Sequence, residues 1–428
     1  MLEKIISAAK KVFSHKELRQ KILFTGGVFF VFRLLAHIPV PIVDVDKIQT
    51  IFSGSQFLSL LNIFSGGTLI RFSIAAVGIN PYITASIIMQ LAGMVYPKLK
   101  ELRKEGESGQ AKVNQYTRLL AVPLAVVQSI SVIALLRTQQ LLTPYTSIEM
   151  VAVVASLVAG AMIAMWLGEL VTDYGIGNGI SMILFAGIAS QIPTAFAQTG
   201  IVLNGQNIFK IIVFIGVLLA VIGLVVFMNE AVRKVNVQYA KRVRGSRVYG
   251  GQKTHLPIRV NVAGVMPIIF SLSIMLVPSF VARLMQSTDK QFLIILGEKL
   301  TIWFNQTSPV YMIVYFILVF AFSFFSAIVF FNAEDLSQEL KKSGAFIPGI
   351  RPGEATKNFL EFVVTRVTFV GALFLGFIAL LPALAQVFTG IQSLAIGGTS
   401  VLIVVSVILD TAKQADSMMI GQNYDRFA

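Results

Sequence analysis

The stretch MVAVVASLVAGAMIAMWLGEL, residues 150–170, decides the fold, because it carries no charged side chain before Glu169. A helix needs roughly 20 apolar residues to cross the hydrocarbon core of a bilayer. Hydrophobic residues make up 55% of the chain and charged residues only 13%. Ten such stretches occur, at approximately 22–40, 72–96, 116–136, 150–170, 180–198, 208–228, 262–285, 308–331, 363–388 and 399–418. The sequence therefore predicts an all-α, polytopic membrane protein with ten transmembrane helices.

The basic residues lie almost entirely on one side of this predicted membrane protein. They crowd the N-terminal tail 1–21 and the loops around 97–115, 229–260 and 332–362. The alternate loops hold only Lys47, Arg137, Lys210, Arg283, Lys290 and Lys299. Loops rich in Lys and Arg stay in the cytoplasm, so the tails 1–21 and 419–428 are both expected there. This asymmetry accounts for most of the net charge of +14, which by itself does not indicate a nucleic-acid partner.

The residue types needed for catalysis or metal binding are scarce. The chain has no cysteine, which excludes disulfides and thiolate chemistry. Its histidines, His15, His37 and His255, are too scattered for a metal site or a proton relay. HExxH, GxSxG and Walker-type motifs are absent. We therefore expect no enzyme activity, no metal and no cofactor. The first apolar stretch is too long for the core of a cleaved signal peptide.

Few ionisable groups lie inside the predicted spans. Arg33, His37, Glu169 and Arg366 are placed towards helix ends, where snorkelling to the interface suffices. A proton-coupled transporter is expected to carry carboxylates in the middle of its spans, and this chain shows none. A secondary transporter and an intramembrane enzyme are therefore the competing but less favoured classes.

Four short segments interrupt the regular pattern of spans. Residues 62–71 are apolar, broken by glycine and charged at Arg71, which favours a short half-helix at about 60–75 dipping into a cavity over a surface loop. Pro81 and Pro267 follow a glycine at the same spacing near the start of two spans. They indicate either ordinary helix starts or matching broken segments of an inverted repeat. The glycines of 175–179 indicate a tight turn between two membrane helices.

Ten short motifs, in order from the first span to the last, resemble those of the SecY family, the channel subunits of bacterial protein-conducting translocons. They are HIPVP (37–41), NIFSGG (62–67), PYITASII (81–88), KEGESG (104–109), GIGNGIS (175–181), THLP (254–257), NVAGV (261–265), NAED (332–335), KKSGAFIPGIRPG (341–353) and GGTS (397–400). The chain departs from the family at Ile42, where a glycine is expected, and at Tyr174, where a basic residue is common.

The resemblance implies two pseudo-symmetric five-helix halves, 22–198 and 199–418, around a central pore in the cytoplasmic membrane. It also implies a ring of aliphatic side chains at the constriction. In this sequence the ring is Ile83, Ile87, Ile180, Leu184, Ile269 and Ile403. An isoleucine at helical spacing is more often a core or lipid contact, so the ring rests on the resemblance. A narrow apolar collar resists ion leakage and offers a sliding polypeptide no hydrogen-bond partner.

The resemblance further implies a plug and a lateral gate. The plug is the predicted half-helix, with Asn62, Phe64, Ser65, Gly66, Gly67 and Arg71, and its glycines suggest that it is loosely held. The second, third, seventh and eighth spans would form a gate through which signal sequences and unfolded preproteins meet membrane lipids. Its polar residues are Thr84, Ser86, Gln90, Gln128 and Ser273. These either tune the gate or simply hydrogen-bond packed helices.

Partner binding is expected at the two longest basic loops, 229–260 and 332–362. Arg242, Arg244, Arg247 and Arg351 are the candidate docking residues, for phosphates of ribosomal RNA or for an acidic face of the SecA motor ATPase. Setting the membrane topology would explain the charge of these loops, but not the proline-rich turn around Arg351. The resemblance also implies SecE and SecG as companion subunits. The predicted function is a passive protein-conducting channel driven by the motor or by the ribosome.

Overall fold

The structure is a computed structural model and describes residues 16–40, 62, 67–138, 146–191, 208–240, 242–244, 247–249, 253–261, 264, 266–286, 290–305, 308–389 and 395–425. It is mostly helical. The helices are α1 Lys16–Leu35, α2 Asn80–Val95, α3 Pro97–Lys104, α4 Glu107–Thr138, α5 Ser147–Tyr174, α6 Gly179–Ala189, α7 Ile208–Glu230, α8 Met266–Gln286, α9 Gln291–Trp303, α10 Pro309–Phe330, α11 Ala333–Lys342, α12 Glu354–Thr389 and α13 Ala395–Asp425.

Four helices in the described ranges are long and apolar enough to cross a membrane. They cover Glu107–Ala134, Ser147–Tyr174, Pro309–Ala327 and Glu354–Leu381. The stretch 150–170 is the centre of α5. That helix starts with a capping box, in which Thr146 accepts a hydrogen bond from the Glu149 N–H and Glu149 accepts one from the Thr146 N–H. The count of ten spans and the two-halves symmetry stay predictions.

The second predicted span begins later than the sequence suggested. Residues 74–79 are turns, and α2 starts only at Asn80, with Pro81 in its first turn. Proline is tolerated there because the first N–H groups of a helix have no intrahelical partner. Pro267 likewise lies in the first turn of α8. Both prolines therefore lie at helix starts, and the inverted repeat stays a prediction.

The all-α prediction is incomplete, because the basic loops contain β-structure. Strands β1 Val232–Tyr239, β4 Lys253–Arg259 and β5 Ala345–Phe346 form an antiparallel sheet in the order β4-β1-β5. Strands β2 Arg242–Arg244 and β3 Arg247–Tyr249 form a separate hairpin. Period-two alternation buries Val235 and Val237 of β1. These side chains pack with α11 and the start of α12 in a small core of their own.

The largest core cluster lies among the membrane helices. It draws buried side chains from nine helices, namely α1, α2, α5, α6, α7, α8, α10, α12 and α13. A second cluster packs residues 69–77 and Val40 against α4 and α5. Helix α2 contacts α4 on one side and α8 on another, and α13 contacts α6, α7 and α12. These contacts place the candidate site where α2, α6, α8 and α13 converge.

Candidate functional site

Six aliphatic side chains predicted for the pore ring meet in one cluster. Ile83 and Ile87 come from α2, Ile180 and Leu184 from α6, Ile269 from α8 and Ile403 from α13. All except Ile180 are between 2% and 6% exposed, and Ile180 packs against the cluster while partly buried. Each pair on α2 and α6 is spaced i, i+4, so both of its members lie on one helix face. The structure therefore brings the six residues together. That they line a pore stays a prediction.

The described part of the predicted plug contains a short 3₁₀ helix, Leu69–Arg71, and turns. The half-helix predicted over about 60–75 is therefore not observed in residues 67–75. Phe72 ends the 3₁₀ helix in a left-handed conformation, with φ of 40°, and a residue in that region cannot continue a right-handed helix. Phe64, Ser65 and Gly66 lie outside the described residues.

The described part of this segment makes several contacts with its surroundings, and its loose attachment stays a prediction. The side-chain oxygen of Asn62 accepts a hydrogen bond from the Ile70 N–H at 3.0 Å. The backbone carbonyl of Asn62 accepts one from the Gly67 N–H at 2.7 Å. Phe72 is 1% exposed. The chain following α1 adds a backbone bridge between Pro39 and Ser73. Only Arg71 of the predicted plug residues in this part is exposed. Burial and backbone pairing thus fix residues 67–77 against α4 and α5.

The predicted gate residues lie on three helices. Gln128 of α4 donates from Nε2 to Thr84 Oγ1 of α2, at 3.5 Å, and Thr84 donates to the Asn80 carbonyl at 3.0 Å. Ser273 donates to the Ile269 carbonyl within α8 at 2.9 Å, and Ser86 is half-buried on α2. The Gln90 Oε1 atom is buried and has no hydrogen-bond partner among the described residues. One of these polar residues therefore links two helices directly, and the gate role stays a prediction.

Arg351 sits exposed on a turn that neighbouring side chains hold in place. The Thr356 hydroxyl donates to the Arg351 carbonyl at 2.9 Å, and the Ser337 hydroxyl donates to the Gly353 carbonyl at 3.0 Å. Thr356 and Ser337 are both buried. The turn is therefore anchored to α11 and α12, while the guanidinium faces outward. An exposed, pre-positioned guanidinium can form bidentate contacts with carboxylate or phosphate.

The sheet joins the two predicted docking loops into one body. Gln238 and Tyr239 of loop 229–260 pair with Phe346 and Ala345 of loop 332–362. Arg242, Arg244 and Arg247 lie on the neighbouring hairpin, where Arg244 pairs with Arg247 along the backbone. Sequence analysis did not predict this pairing. The alternation of Val235 and Val237 with polar neighbours was the signal for a strand that it did not use.

Two ion pairs were also missed. Arg118 of α4 and Glu169 of α5 lie 2.6 Å apart, Nε to Oε1, and the Glu169 side chain is only 15% exposed. Glu169 therefore has a cationic partner on the neighbouring helix. Lys413 of α13 pairs with Glu230 at 3.0 Å and donates to the Asn229 carbonyl at 2.7 Å. Asn229 in turn donates to the Ser406 hydroxyl, at 3.3 Å. Across the part of the chain that the structure describes, no group of three His, Asp or Glu side chains could hold a metal ion.

Comparison with known proteins agrees with this architecture. The sequence profile of the SecY family matches residues 73–412. The chain is 41% identical over 444 aligned residues to the protein translocase subunit SecY of Streptomyces galbus, covering 99% of this chain and 100% of the relative. It is 40% identical over 453 residues to the same subunit of Mycobacterium tuberculosis strain H37Rv, with both chains fully covered.

Two solved structures share the fold. A protein-conducting channel superposes with a TM-score of 0.66 at 18% identity, covering 93% of this chain and 91% of that one. Sec61 in the canine ribosome-channel complex from the endoplasmic reticulum superposes with a TM-score of 0.61 at 18% identity, with the same coverage. These identities support the fold alone. The full-length similarity to curated relatives carries the assignment, and the chain belongs to the SecY family of protein translocase subunits.

Proposed function

We propose that this chain is the protein-conducting channel of a Sec translocase in the cytoplasmic membrane, with both termini in the cytoplasm. Secretory polypeptides would pass through it, and membrane proteins would leave it sideways into the lipid. The observation that carries the proposal is the convergence of six aliphatic side chains from α2, α6, α8 and α13 in one cluster. Membership of a protein translocase family supports it.

The proposed architecture has ten membrane-spanning helices in two halves, 22–198 and 199–418, with the six aliphatic residues between them. Isoleucine and leucine side chains cannot hydrogen-bond to water, so a collar of them dewets and blocks ions. The same side chains cannot hydrogen-bond to a passing polypeptide either. A collar of this kind would let a polypeptide pass without a catalytic step, a cofactor or a metal.

The closed state would be completed by the segment that packs on α4 and α5. Residues 67–77 are held by Asn62, the Pro39–Ser73 bridge and the buried Phe72. Opening the outer side of the channel would require these contacts to break. The half-buried Gln128–Thr84 hydrogen bond would hold α4 to α2 on the gate side. A signal sequence and membrane lipids would meet the channel there.

Driving force would come from partners bound at the cytoplasmic surface. The loop that carries the exposed Arg351 is joined to strand β1 through β5, and the basic β2–β3 hairpin follows β1 in the sequence as a separate sheet. A surface of this charge suits the phosphates of a ribosome or an acidic face of the SecA motor. The proposal that the ribosome is one such partner is supported by the similarity in fold to Sec61 from a ribosome-channel complex. SecE and SecG are the companion subunits that we propose from family membership.

Site-specific crosslinking tests the proposal directly. A photoreactive residue at position 83, 269 or 403 should crosslink to a secretory precursor stalled during export from intact membranes. The matched control is position 370, where Val370 is 63% exposed on the outer face of α12. Crosslinks at the control position equal to those at the three test positions would contradict the proposed path.

A further inference from the structure

The glycine turn between α5 and α6 is packed against helices from both proposed halves. α5 ends at Tyr174 and α6 begins at Gly179, with Asn178 capping α6 through the Ser181 N–H. Ile176, at the centre of the turn, is 4% exposed. A connection that only joined two membrane helices would lie at the surface. The burial of this turn therefore calls for a role beyond connecting them.

One side of the turn is fixed to α1. The Ile176 N–H donates to the Thr25 hydroxyl oxygen at 3.3 Å. A Cβ atom added at Gly175 would lie 2.6 Å from Thr25 Oγ1 and 2.6 Å from the Val171 carbonyl oxygen. Thr25 is itself buried. The turn is therefore hydrogen-bonded to α1 and packed closely against it.

The other side of the turn faces α13, which belongs to the proposed C-terminal half. Gly177 has a φ of +84°, and a Cβ added there would lie 3.1 Å from Thr411 Oγ1. That distance is tighter than ordinary van der Waals contact, so a side chain at 177 requires the Thr411 hydroxyl to give way by a few tenths of an ångström. The Thr411 hydroxyl donates to the Val407 carbonyl at 2.7 Å and contacts the Met182 sulfur of α6 at 3.4 Å. These bonds hold the hydroxyl in place against the glycine.

The contact between Gly177 and Thr411 joins the turn that leads into α6 to α13. These two helices carry three of the six aliphatic residues. Ile180 follows Gly177 by three residues, and Ile403 precedes Thr411 by eight residues of α13, which is about 12 Å along a helix. Leu184 and Ile403 are both 2% exposed within the cluster. A change in the spacing of α6 and α13 at Gly177 is therefore transmitted to the place where Ile180 and Leu184 pack near Ile403.

We propose that Gly177 and Thr411 are positioning residues that set the closed-state distance between α6 and α13, and thereby the tightness of the aliphatic collar. The absence of a side chain at 177 lets α13 approach until Thr411 stops it. This inference rests on the proposed channel function, since the collar matters only if ions or polypeptides would otherwise pass. The spacing itself is a structural quantity that can be measured separately.

The experiment compares side chains of increasing size at two left-handed glycines. Gly177→Ala and Gly177→Leu add the same backbone strain but differ in bulk. The matched controls are Gly106→Ala and Gly106→Leu, because Gly106 has a φ of +76° and nothing within 4 Å of an added Cβ. Resting ion conductance of reconstituted channels should rise at least about fivefold in the Gly177 variants, the factor by which about 1 kcal/mol of lost packing against Thr411 shifts a two-state equilibrium. Conductance should rise more in Gly177→Leu than in Gly177→Ala, and the Gly106 variants should conduct like wild type.

A second substitution separates spacing from a general loss of packing. Thr411→Ala removes the atom that the added Cβ would meet, so Gly177→Ala combined with Thr411→Ala should return conductance towards wild type. The chain has no native cysteine. Spin labels will therefore attach only to the two cysteines introduced by Ser181→Cys on α6 and Gln414→Cys on α13. The distance between these labels should lengthen in Gly177→Leu and stay unchanged in Gly106→Leu.

The outcomes distinguish the two proposals. An unchanged label distance in Gly177→Leu, or a conductance rise that Thr411→Ala does not reverse, overturns the positioning role. A lengthened distance in a protein that passes no ions, even with residues 62–71 deleted, upholds the spacing role and overturns the proposed channel function.

Discussion

Arg118 on α4 and Glu169 on α5 form an ion pair with 2.6 Å between Nε and Oε1, and the carboxylate is mostly shielded from water. The pair lies beside the cluster in which Ala85 of α2, Ala121 of α4 and Met165 of α5 pack together. Small residues allow the three helices to approach closely, and the ion pair fixes α4 to α5. These helices therefore form one packed layer next to the aliphatic cluster.

The first prediction is that breaking this pair destabilises the protein. Arg118→Gln leaves a shielded carboxylate without its charged partner, which should cost about 1–3 kcal/mol of unfolding free energy. Thermal unfolding of the purified protein in detergent measures the loss. Arg137→Gln, an exposed arginine at the other end of α4, is the matched control and should be nearly neutral. The exchange Arg118→Glu with Glu169→Arg should recover part of the loss, and a lack of any recovery would show that the pairing itself contributes little.

The second prediction concerns the seal. Ile87→Asn or Ile269→Asn places an amide in the aliphatic cluster, which should favour its hydration and raise resting ion conductance. The increase in conductance should be about tenfold if the free energy of hydrating the cluster falls by about 1.4 kcal/mol. Single-channel recording in planar bilayers measures it. Ile88→Asn is the control, since Ile88 is next to Ile87 but faces outward at 40% exposure. Equal conductance in all three variants and in wild type would argue that these residues do not form the constriction.

The third prediction is that Arg351 binds a cytoplasmic partner. Arg351→Glu inverts the charge at the docking turn and should cost about 2–5 kcal/mol of binding free energy with an acidic partner. Motor-driven export of a precursor into membrane vesicles should stop, while abundance of the channel and conductance after deletion of 62–71 stay normal. Lys342→Glu makes the same charge change on exposed α11 and should have a smaller effect. Export at the normal rate with Arg351→Glu would remove the support for docking.

A fourth prediction tests whether the turn acts as a rigid frame. Thr356→Val keeps the shape of the side chain but removes the hydroxyl that donates to the Arg351 carbonyl, at an expected cost of about 0.5–1.5 kcal/mol. Partner affinity should fall less than in Arg351→Glu, and hydrogen exchange in 349–353 should accelerate. Thr365→Val, which removes an exposed helix-internal bond to the Glu361 carbonyl, should leave both readouts unchanged. Similar exchange rates in both variants would indicate that the turn needs no support from Thr356.

A fifth prediction concerns the companion subunits. Expressed without SecE, the chain should be degraded rapidly, because the two proposed halves would leave one side of the channel unbraced. Co-expression with that subunit should restore its abundance and its thermal stability. The measurement is the half-life of the chain in cells with and without the companion. Identical half-lives would count against a bracing role.

The sequence by itself determined the membrane class and the positions of the long helices. In lipid the backbone N–H and C=O groups must form hydrogen bonds within the protein. A continuous apolar stretch of about 20 residues, such as 150–170, does so as a helix, and helix α5 is the result. Pro81 likewise marked the start of a helix through local chemistry. The family motifs identified Ile83, Ile180 and Ile403 as candidates.

The tertiary structure decided what depends on contacts between distant segments. The pairing of Gln238 with Phe346 joins two loops across the chain. Arg118 meets Glu169, and Gly177 meets Thr411, only after the helices pack. Phe72 takes a left-handed conformation and is buried in the cluster with α4 and α5, a contact between segments that are distant in the sequence. Each of these outcomes is set by which surfaces come together in three dimensions, and helical periodicity records only which face of a segment is apolar.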